Sequence, residues 1–278
     1  MTLTGTNEGN TRKAGMCRED EITMTVDDIS YESTARFYDA AYAAMPSLGP
    51  DARFYERLAA EIGGPVLEVG CGTGRVLLPI ATRGIECAGV DASPAMLDEF
   101  RRKPGAGTVA LSCARMQSFD LGDRRFRLIY SAFRAFQHLE TVDDQLACLA
   151  RVRAHLAPGG VFAFDVFNPR LELIAVDDDP EAQDLVFTFD GRAMRRFTRI
   201  ARDRATQLMQ VAMRYVAEAS ADGRSAEETR VTFSMRWFWR YELEHLLHRT
   251  GFTKVEMFGD FDRSPIRRDS PAFLVVAR

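Results

Sequence analysis

An apolar run that ends abruptly in glycine constrains this chain more than any other feature. Val66-Leu67-Glu68-Val69 reads as a buried strand, and Gly70-Cys71-Gly72-Thr73-Gly74 as a tight turn after it. Glycine supplies the positive φ that such a turn needs, and it lets the backbone approach a ligand that any Cβ would push away. Arg75 to Thr82 reads as a helix, and a second apolar strand, Glu86 to Val90, runs into Asp91, 17 residues beyond Gly74. Strand, glycine turn, helix, strand and acid together are the layout of a nucleotide-type cofactor site at the carboxyl edge of a parallel sheet. The acid can accept hydrogen bonds from both ribose hydroxyls.

The dinucleotide fingerprint asks for G-x-G-x-x-G, and the position that it wants as the third glycine is Arg75 here. That argues against a dehydrogenase. The run E-x-G-x-G-x-G, with an acid closing the next strand, resembles motifs I and II of the class I methyltransferases. Met96 in Asp91-Ala-Ser-Pro-Ala-Met96-Leu97 and the stretch Leu156-Ala-Pro-Gly-Gly-Val161-Phe-Ala-Phe extend the likeness. It runs from about Phe37 to Asn168 and resumes over the closing 40 or so residues. The resemblance implies an α/β fold, a Rossmann-like class I methyltransferase sheet, and S-adenosylmethionine as cofactor. A bare strand-to-helix turn would require neither the acid nor the later elements.

The remaining pattern fits one such sheet with an insertion. Helices are expected over Thr34–Met45 and Asp51–Ile62, then strands and helices alternate: Pro94–Arg102, Val109–Cys113, Arg127–Ser131, Asp143–His155 and Gly160–Val166. Such alternation argues for right-handed βαβ units. Pro158-Gly159-Gly160 reads as a helix stop and turn. Between about Gln183 and Phe238 the period changes to two, in Leu185–Phe189, Met194–Ala201, Gln207–Glu218 and Glu228–Trp237. Asp190-Gly191 and Ala221-Asp222-Gly223 separate these runs as turns, so an inserted antiparallel β-sheet is expected. A helix over Tyr241–Thr250 and strands over Lys254–Phe258 and Ala272–Ala277 close the chain. The organisation expected is a disordered tail over 1–25, lid helices and the main cofactor-binding part over 26–182, an insert over 183–238 and a return to the main sheet over 239–278.

Bulk properties narrow the partners. Net charge is −4, from 36 basic and 40 acidic residues, with no long basic run, so nucleic acid is not an expected partner. No apolar stretch is long enough to span a bilayer, and residues 1–20 lack a signal-peptide core. Cys17, Cys71, Cys87, Cys113 and Cys148 lack metal-ligand spacing. Reduced thiols, no metal and a cytoplasmic location are the expectations. In families of this kind such inserts roof the substrate or make a dimer contact, so a homodimer through the insert is one expectation.

Site residues follow from the resemblance. Gly70, Cys71, Gly72 and Gly74 would line the methionine and ribose portions of the cofactor. Glu68 would either hold the glycine turn or reach the cofactor amine through water. Asp91, with Ala92 beside it, would take the ribose, and Met96 would pack on adenine. Many relatives place an acid after the third strand, where this chain has Arg115 in Ala114-Arg115-Met116-Gln117. Arginine cannot accept a hydrogen bond. Adenine is therefore left to the Met116 amide and to packing, with Arg115 either stacked on the ring or turned to solvent.

Phe133-Arg-Ala-Phe136-Gln137-His138-Leu139 resembles the F-x-x-x-x-H-L run of small-molecule N-methyltransferases, including those acting on amino sugars and antibiotic precursors. Phe133 would lie near the sulfonium. His138 would accept an amine proton or orient a hydroxyl, the alternative being a helix-start histidine bonded to backbone. Tyr31-Glu-Ser-Thr-Ala-Arg-Phe37-Tyr38-Asp39 resembles a lid ahead of motif I, with Tyr31 near the methyl group and Tyr38 closing over the cofactor. His155, His245 and His248 read as surface or packing residues. Trp237 and Trp239 read first as core, and Asp177-Asp178-Asp179 as a solvated loop. The function expected is methyl transfer to a small-molecule amine. An O-methyltransferase acting on a small hydroxylated metabolite, and a non-catalytic regulatory protein that binds the cofactor, are the alternatives.

Overall fold

The computed structural model describes residues 31–45, 49–219 and 223–278. The tail over 1–25, Cys17 and the Ala221-Asp222 part of one turn lie outside the described residues. Two helices come first, α1 (Ala35–Ala43) and α2 (Pro50–Ile62). Then β1 (Val66–Val69), α3 (Leu77–Ala81), β2 (Cys87–Asp91), α4 (Pro94–Arg101), β3 (Val109–Cys113), β4 (Phe126–Ser131), α5 (Val142–His155) and β5 (Leu156–Phe167) alternate. A short helix, α6 (Leu171–Ile174), leads into four long strands: β6 (Asp178–Phe189), β7 (Arg192–Asp203), β8 (Leu208–Ala217) and β9 (Glu227–Arg236). Helix α7 (Arg240–Arg249) and strands β10 (Val255–Phe258) and β11 (Ala272–Ala277) complete the chain.

Seven strands form the main sheet in the order β10-β11-β5-β4-β1-β2-β3. Strands β1 to β5 pair in parallel, and β11 is antiparallel to both β5 and β10. Every residue of β1 and of β11 is buried, the pattern of a sheet covered on both faces. Leu149 and Val152 of α5 and Leu243 and Leu247 of α7 cover one face. Phe54, Leu58, Leu77, Ile80, Leu97 and Phe100 of α2, α3 and α4 cover the other. Strand β1 lies between β4 and β2, so the order reverses there, and a crevice opens beyond the carboxyl ends of these strands.

The β6-β7-β8-β9 strands form a separate antiparallel sheet. Its inner face packs on α1, with Phe37 against Phe187 and Tyr215 at ring distances of 6.1 and 4.9 Å. Two local readings are corrected. Asp178 and Asp179 belong to β6 and pair with Arg199 and Arg202, and Asp177 pairs with Arg204, so the acidic run is a strand-edge ion-pair ladder rather than a free loop. Strand β5 begins at Leu156, because Pro158-Gly159-Gly160 forms an irregularity within its pairing to β4 instead of ending a helix ahead of it.

Gly70, Gly72 and Gly74 all hold positive φ, at 81°, 50° and 80°. A Cβ on Gly74 would stand 2.5 Å from the Phe100 ring. Gly74→Ala should therefore combine left-handed strain with overpacking and cost roughly 2–4 kcal/mol. Urea denaturation checks this, and an unchanged midpoint would show that the turn tolerates a side chain.

Candidate active site

A cavity of about 740 Å³ occupies the crevice, with the glycine turn and the ends of β2 and β4 on one side and the four-stranded sheet above. Asp91, at the end of β2, accepts hydrogen bonds from the Gly72 amide on Oδ2 (2.7 Å) and from the Ser93 amide on Oδ1 (2.9 Å). Two amides use two of a carboxylate's four or so acceptor positions, which leaves each oxygen able to accept from a hydroxyl. Burial raises the Asp91 carboxyl above its ordinary range, against the pull of these amides. Glu68 lies on the cavity floor, where burial pushes its carboxyl well up and the Tyr130 hydroxyl donates to Oε2 at 3.1 Å. Arg75 is held by Asp51 and lies over the Phe133 ring at 5.1 Å.

Helix α1 is tied to the glycine turn. Thr73 Oγ1 donates to Asp39 Oδ1 at 2.5 Å, Lys103 pairs with Asp39, and Lys103 also donates to the Thr73 carbonyl at 2.7 Å. That clamp presents a set of rings to the cavity. Tyr38 and Tyr42 lie 4.1 Å apart, Tyr42 meets Phe133 edge-on at 5.1 Å, and Tyr31 meets Phe233 at 5.4 Å. Ring faces gathered in this way attract a cation.

Phe133 reaches this position through strain. Phe133 and Arg134 hold φ of 55° and 63°, a region that side chains rarely enter. Asp165, buried in β5, holds them there. Its carboxylate accepts from the Phe133 amide (2.9 Å), the Arg134 amide (3.1 Å) and the Tyr55 hydroxyl (2.8 Å). Burial pushes Asp165 up to about 6. The short 3₁₀ turn Ala135–His138 follows directly.

His138 is fixed in one tautomer. Its Nδ1 lies 3.1 Å from the Ser234 carbonyl of β9, which can only accept, so Nδ1 carries the proton. Nε2 is then an acceptor, 3.4 Å from the Tyr31 hydroxyl. Burial lowers the imidazole to about 4, so the ring is neutral at neutral pH. An imidazole with that value is a hydrogen-bond acceptor at neutral pH, which suits the orienting one of its two expected roles.

Comparison with known proteins decides the family. A methyltransferase domain model matches residues 66–160. The malonyl-[acyl-carrier protein] O-methyltransferase of Geobacter sulfurreducens is 30% identical over 252 residues, which is 88% of this chain and 76% of that protein. The chain belongs to the S-adenosylmethionine-dependent methyltransferase family. The dTDP-3-amino-3,4,6-trideoxy-α-D-glucopyranose N,N-dimethyltransferase of Streptomyces venezuelae is 34% identical over 96 residues, 34% of this chain and 39% of that protein. CalS10 of Micromonospora echinaspora, described as an amino pentose methyltransferase and solved with S-adenosylmethionine, is 28% identical. The match has a TM-score of 0.64 and covers 87% of this chain and 96% of CalS10. For several other curated relatives the chain spans under half of their length, 39–47%.

The methyltransferase cavity fits its cofactor on its own geometry. The turn offers bare backbone at Gly70 and Gly72, and no atom lies within 4 Å of where a Gly72 Cβ would be. Asp91 has acceptor capacity for the ribose, and the aromatic walls suit a sulfonium. Tyr31, Tyr38, Glu68, Gly70, Cys71, Gly72, Asp91, Ala92, Met96, Arg115, Met116, Phe133 and His138 all line it. Gly74 does not, because it turns its back on the cavity and faces Phe100. Trp237 is buried in the core and Trp239 is exposed, and neither lines the cavity. His155 is buried, where its Nε2 accepts from the Leu121 amide at 3.0 Å.

Sequence reasoning missed Asp165, Asp184 and Arg196, and it took Arg75 only as a broken fingerprint. Asp165 is the one with a local signal, an acid inside the apolar run Phe162-Ala-Phe-Asp165-Val-Phe. Asp165→Asn should leave one of the two loop amides facing an NH₂ group, at a cost of about 1–3 kcal/mol. Denaturant unfolding measures this, and an unaltered stability would mean that the loop holds without the carboxylate.

Proposed function

We propose that this methyltransferase transfers a methyl group to an amine nitrogen of a small molecule. The observation that carries the reading is the neutral, acceptor-only Nε2 of His138 at the aromatic end of the cavity. An amine arriving as ammonium first gives a proton to solvent, and the neutral form then holds the lone pair that attacks. It needs orientation, which Nε2 provides by accepting one of its N–H bonds in place of the long 3.4 Å contact with the Tyr31 hydroxyl. An alcohol needs help in losing its proton, and an imidazole at about 4 supplies little of that at neutral pH. The amino-sugar relatives support the same reading. An oxygen acceptor is the second reading, in line with the O-methyltransferase matched over most of the chain, whose name gives a malonyl group, a carboxylate, as its substrate.

The cofactor supplies a methyl group on a sulfonium, which an incoming lone pair displaces in line. In our reading Asp91 holds the ribose, Met96 and Met116 pack the adenine, and the floor around Glu68 and Arg75 takes the amino-acid end. Tyr31, Tyr38, Tyr42 and Phe133 surround the charged centre and exclude water. The Asp165 staple keeps the Phe133 ring and the His138 turn in register, so the nucleophile is aimed rather than merely held. The new N–C bond leaves the product cationic, and its surplus proton goes to water after transfer.

Incubation with S-adenosylmethionine and a panel of primary amines, amino sugars and matched alcohols tests the reading, with products read by mass spectrometry. Methylated amines are expected. Methylation of the alcohols alone would sink the nitrogen assignment, and cofactor binding without any product would point to a non-catalytic binder. His138→Phe should lower kcat on an accepted amine by about 10²-fold while cofactor affinity is retained. The variant also reports the titration. The unfolded chain protonates histidine near 6.5 and the folded chain only near 4. Wild-type stability should thus fall relative to the variant as pH drops through that window, by roughly 1 kcal/mol per pH unit. A constant gap between the two melting curves would mean that His138 titrates normally.

A further inference from the structure

The roof of the cavity is apolar with one exception. From the inner face of the β6-β7-β8-β9 sheet, Ile200, Met209, Val211, Met213, Phe233 and Met235 meet the cavity. Among them stand three polar side chains, Asp184, Arg196 and Thr198. Asp184 is there because the β6–β7 ladder is irregular. Gln183 pairs with Phe197 and Leu185 with Arg196, so Asp184 has no partner and is the extra residue of a β-bulge. Bulges re-aim a side chain that strict alternation would send to the other face. Here the carboxylate meets Arg196, with Nε at 3.0 Å from Oδ1 and Nη2 at 2.8 Å from Oδ2, and Thr198, whose Oγ1 donates to Oδ2 at 3.0 Å.

Three of the four or so acceptor positions of that carboxylate are filled, and one on Oδ1 is left. The Asp184 side chain keeps 38% of its exposure and lines the cavity, whereas Arg196 is 5% exposed beneath it. Each charge neutralises the other, so the pair offers no net charge to a phosphate or a carboxylate. What it offers is an oriented acceptor in an otherwise apolar wall, an arrangement that fixes the pose of a small molecule. The wall is continuous with the reacting end, since Phe233 lies 5.4 Å from both His138 and Tyr31.

We infer that Asp184 is a specificity-determining residue that accepts a hydrogen bond from an uncharged hydroxyl on the acceptor substrate. The methionine-rich roof packs the carbon skeleton around that hydroxyl, an adaptable surface for a saturated ring. The substrate class is thus a hydroxyl-bearing small amine without an anionic group at this end. The inference rests on the amine-methylation reading above.

Cyclohexylamine and the 2-, 3- and 4-aminocyclohexanols are matched probes that differ by one hydroxyl and its reach. The wild type should favour at least one aminocyclohexanol over cyclohexylamine by about 10–100-fold in kcat/KM. Asp184→Asn should collapse that ratio towards one, with binding of S-adenosylhomocysteine reporting that the fold is intact. Asp184→Glu keeps Arg196 neutralised and moves the carboxylate outward, so it should change which isomer is preferred. A ratio and an isomer order that survive both substitutions would overturn the inference. If no amine is methylated, the amine reading fails, and calorimetric binding of the same probes to the S-adenosylhomocysteine complex still judges the subsite. Hydroxyl-dependent binding lost in Asp184→Asn supports it, and binding indifferent to the hydroxyl refutes it.

Discussion

The carboxylate of Asp91 ties together the two strand ends on which the site is built. Its bond from the Gly72 amide joins the turn after β1 to the end of β2, and its bond from Ser93 opens α4. Ser93 in turn caps α4 by accepting from Met96 at 3.3 Å, and its hydroxyl donates to Glu32, ahead of α1, at 3.2 Å. One buried acid therefore sets the turn, the helix that carries Met96 and, through Ser93, the approach of the segment that carries Glu32 and Tyr31. In the proposed reading the same oxygens also hold the ribose, so removing this acid would remove a structural group together with a binding one.

Buried carboxylates recur around this cavity at a cost that a simple core would avoid. Glu68, Asp91 and Asp165 are all raised by burial. Two of them are held by backbone amides and one by a phenol, so each is bonded even though desolvated. Asp165 offsets the left-handed conformation of Phe133 and Arg134, which would otherwise relax and carry the aromatic wall away. Departures of this kind from plain packing rules concentrate where a protein needs geometry more than stability.

The four-stranded sheet answers a different need. Its outer face is laced with ion pairs such as Arg199–Asp178 and Arg214–Glu181, and its inner face is methionine, aliphatic and aromatic around the Asp184, Arg196 and Thr198 cluster. It supplies the roof, and it also orients His138, since the Ser234 carbonyl of β9 sets the His138 tautomer. The glycine-turn side and the roof side of the cavity are thus built by different sheets and meet at Tyr31, His138 and Phe233, and in the proposed reading they take the cofactor and the acceptor.

The parallel sheet, the glycine turn and the acid at its edge were legible in the chain because each rests on local pattern. A turn needs its glycines in place, and a buried strand needs its apolar run. The antiparallel insert was legible for the same reason, through its period of two, although its β6 strand reached back over an acidic run that looked like a loop. What the tertiary structure alone decided lies across long separations. His138 became a neutral acceptor through a carbonyl 96 residues away, and the Phe133 turn was stapled by an acid 32 residues on. Asp184 turned inward through a register irregularity that no single-strand pattern records. Desolvation and hydrogen bonding between distant segments set these properties, and neither exists until the segments are packed together.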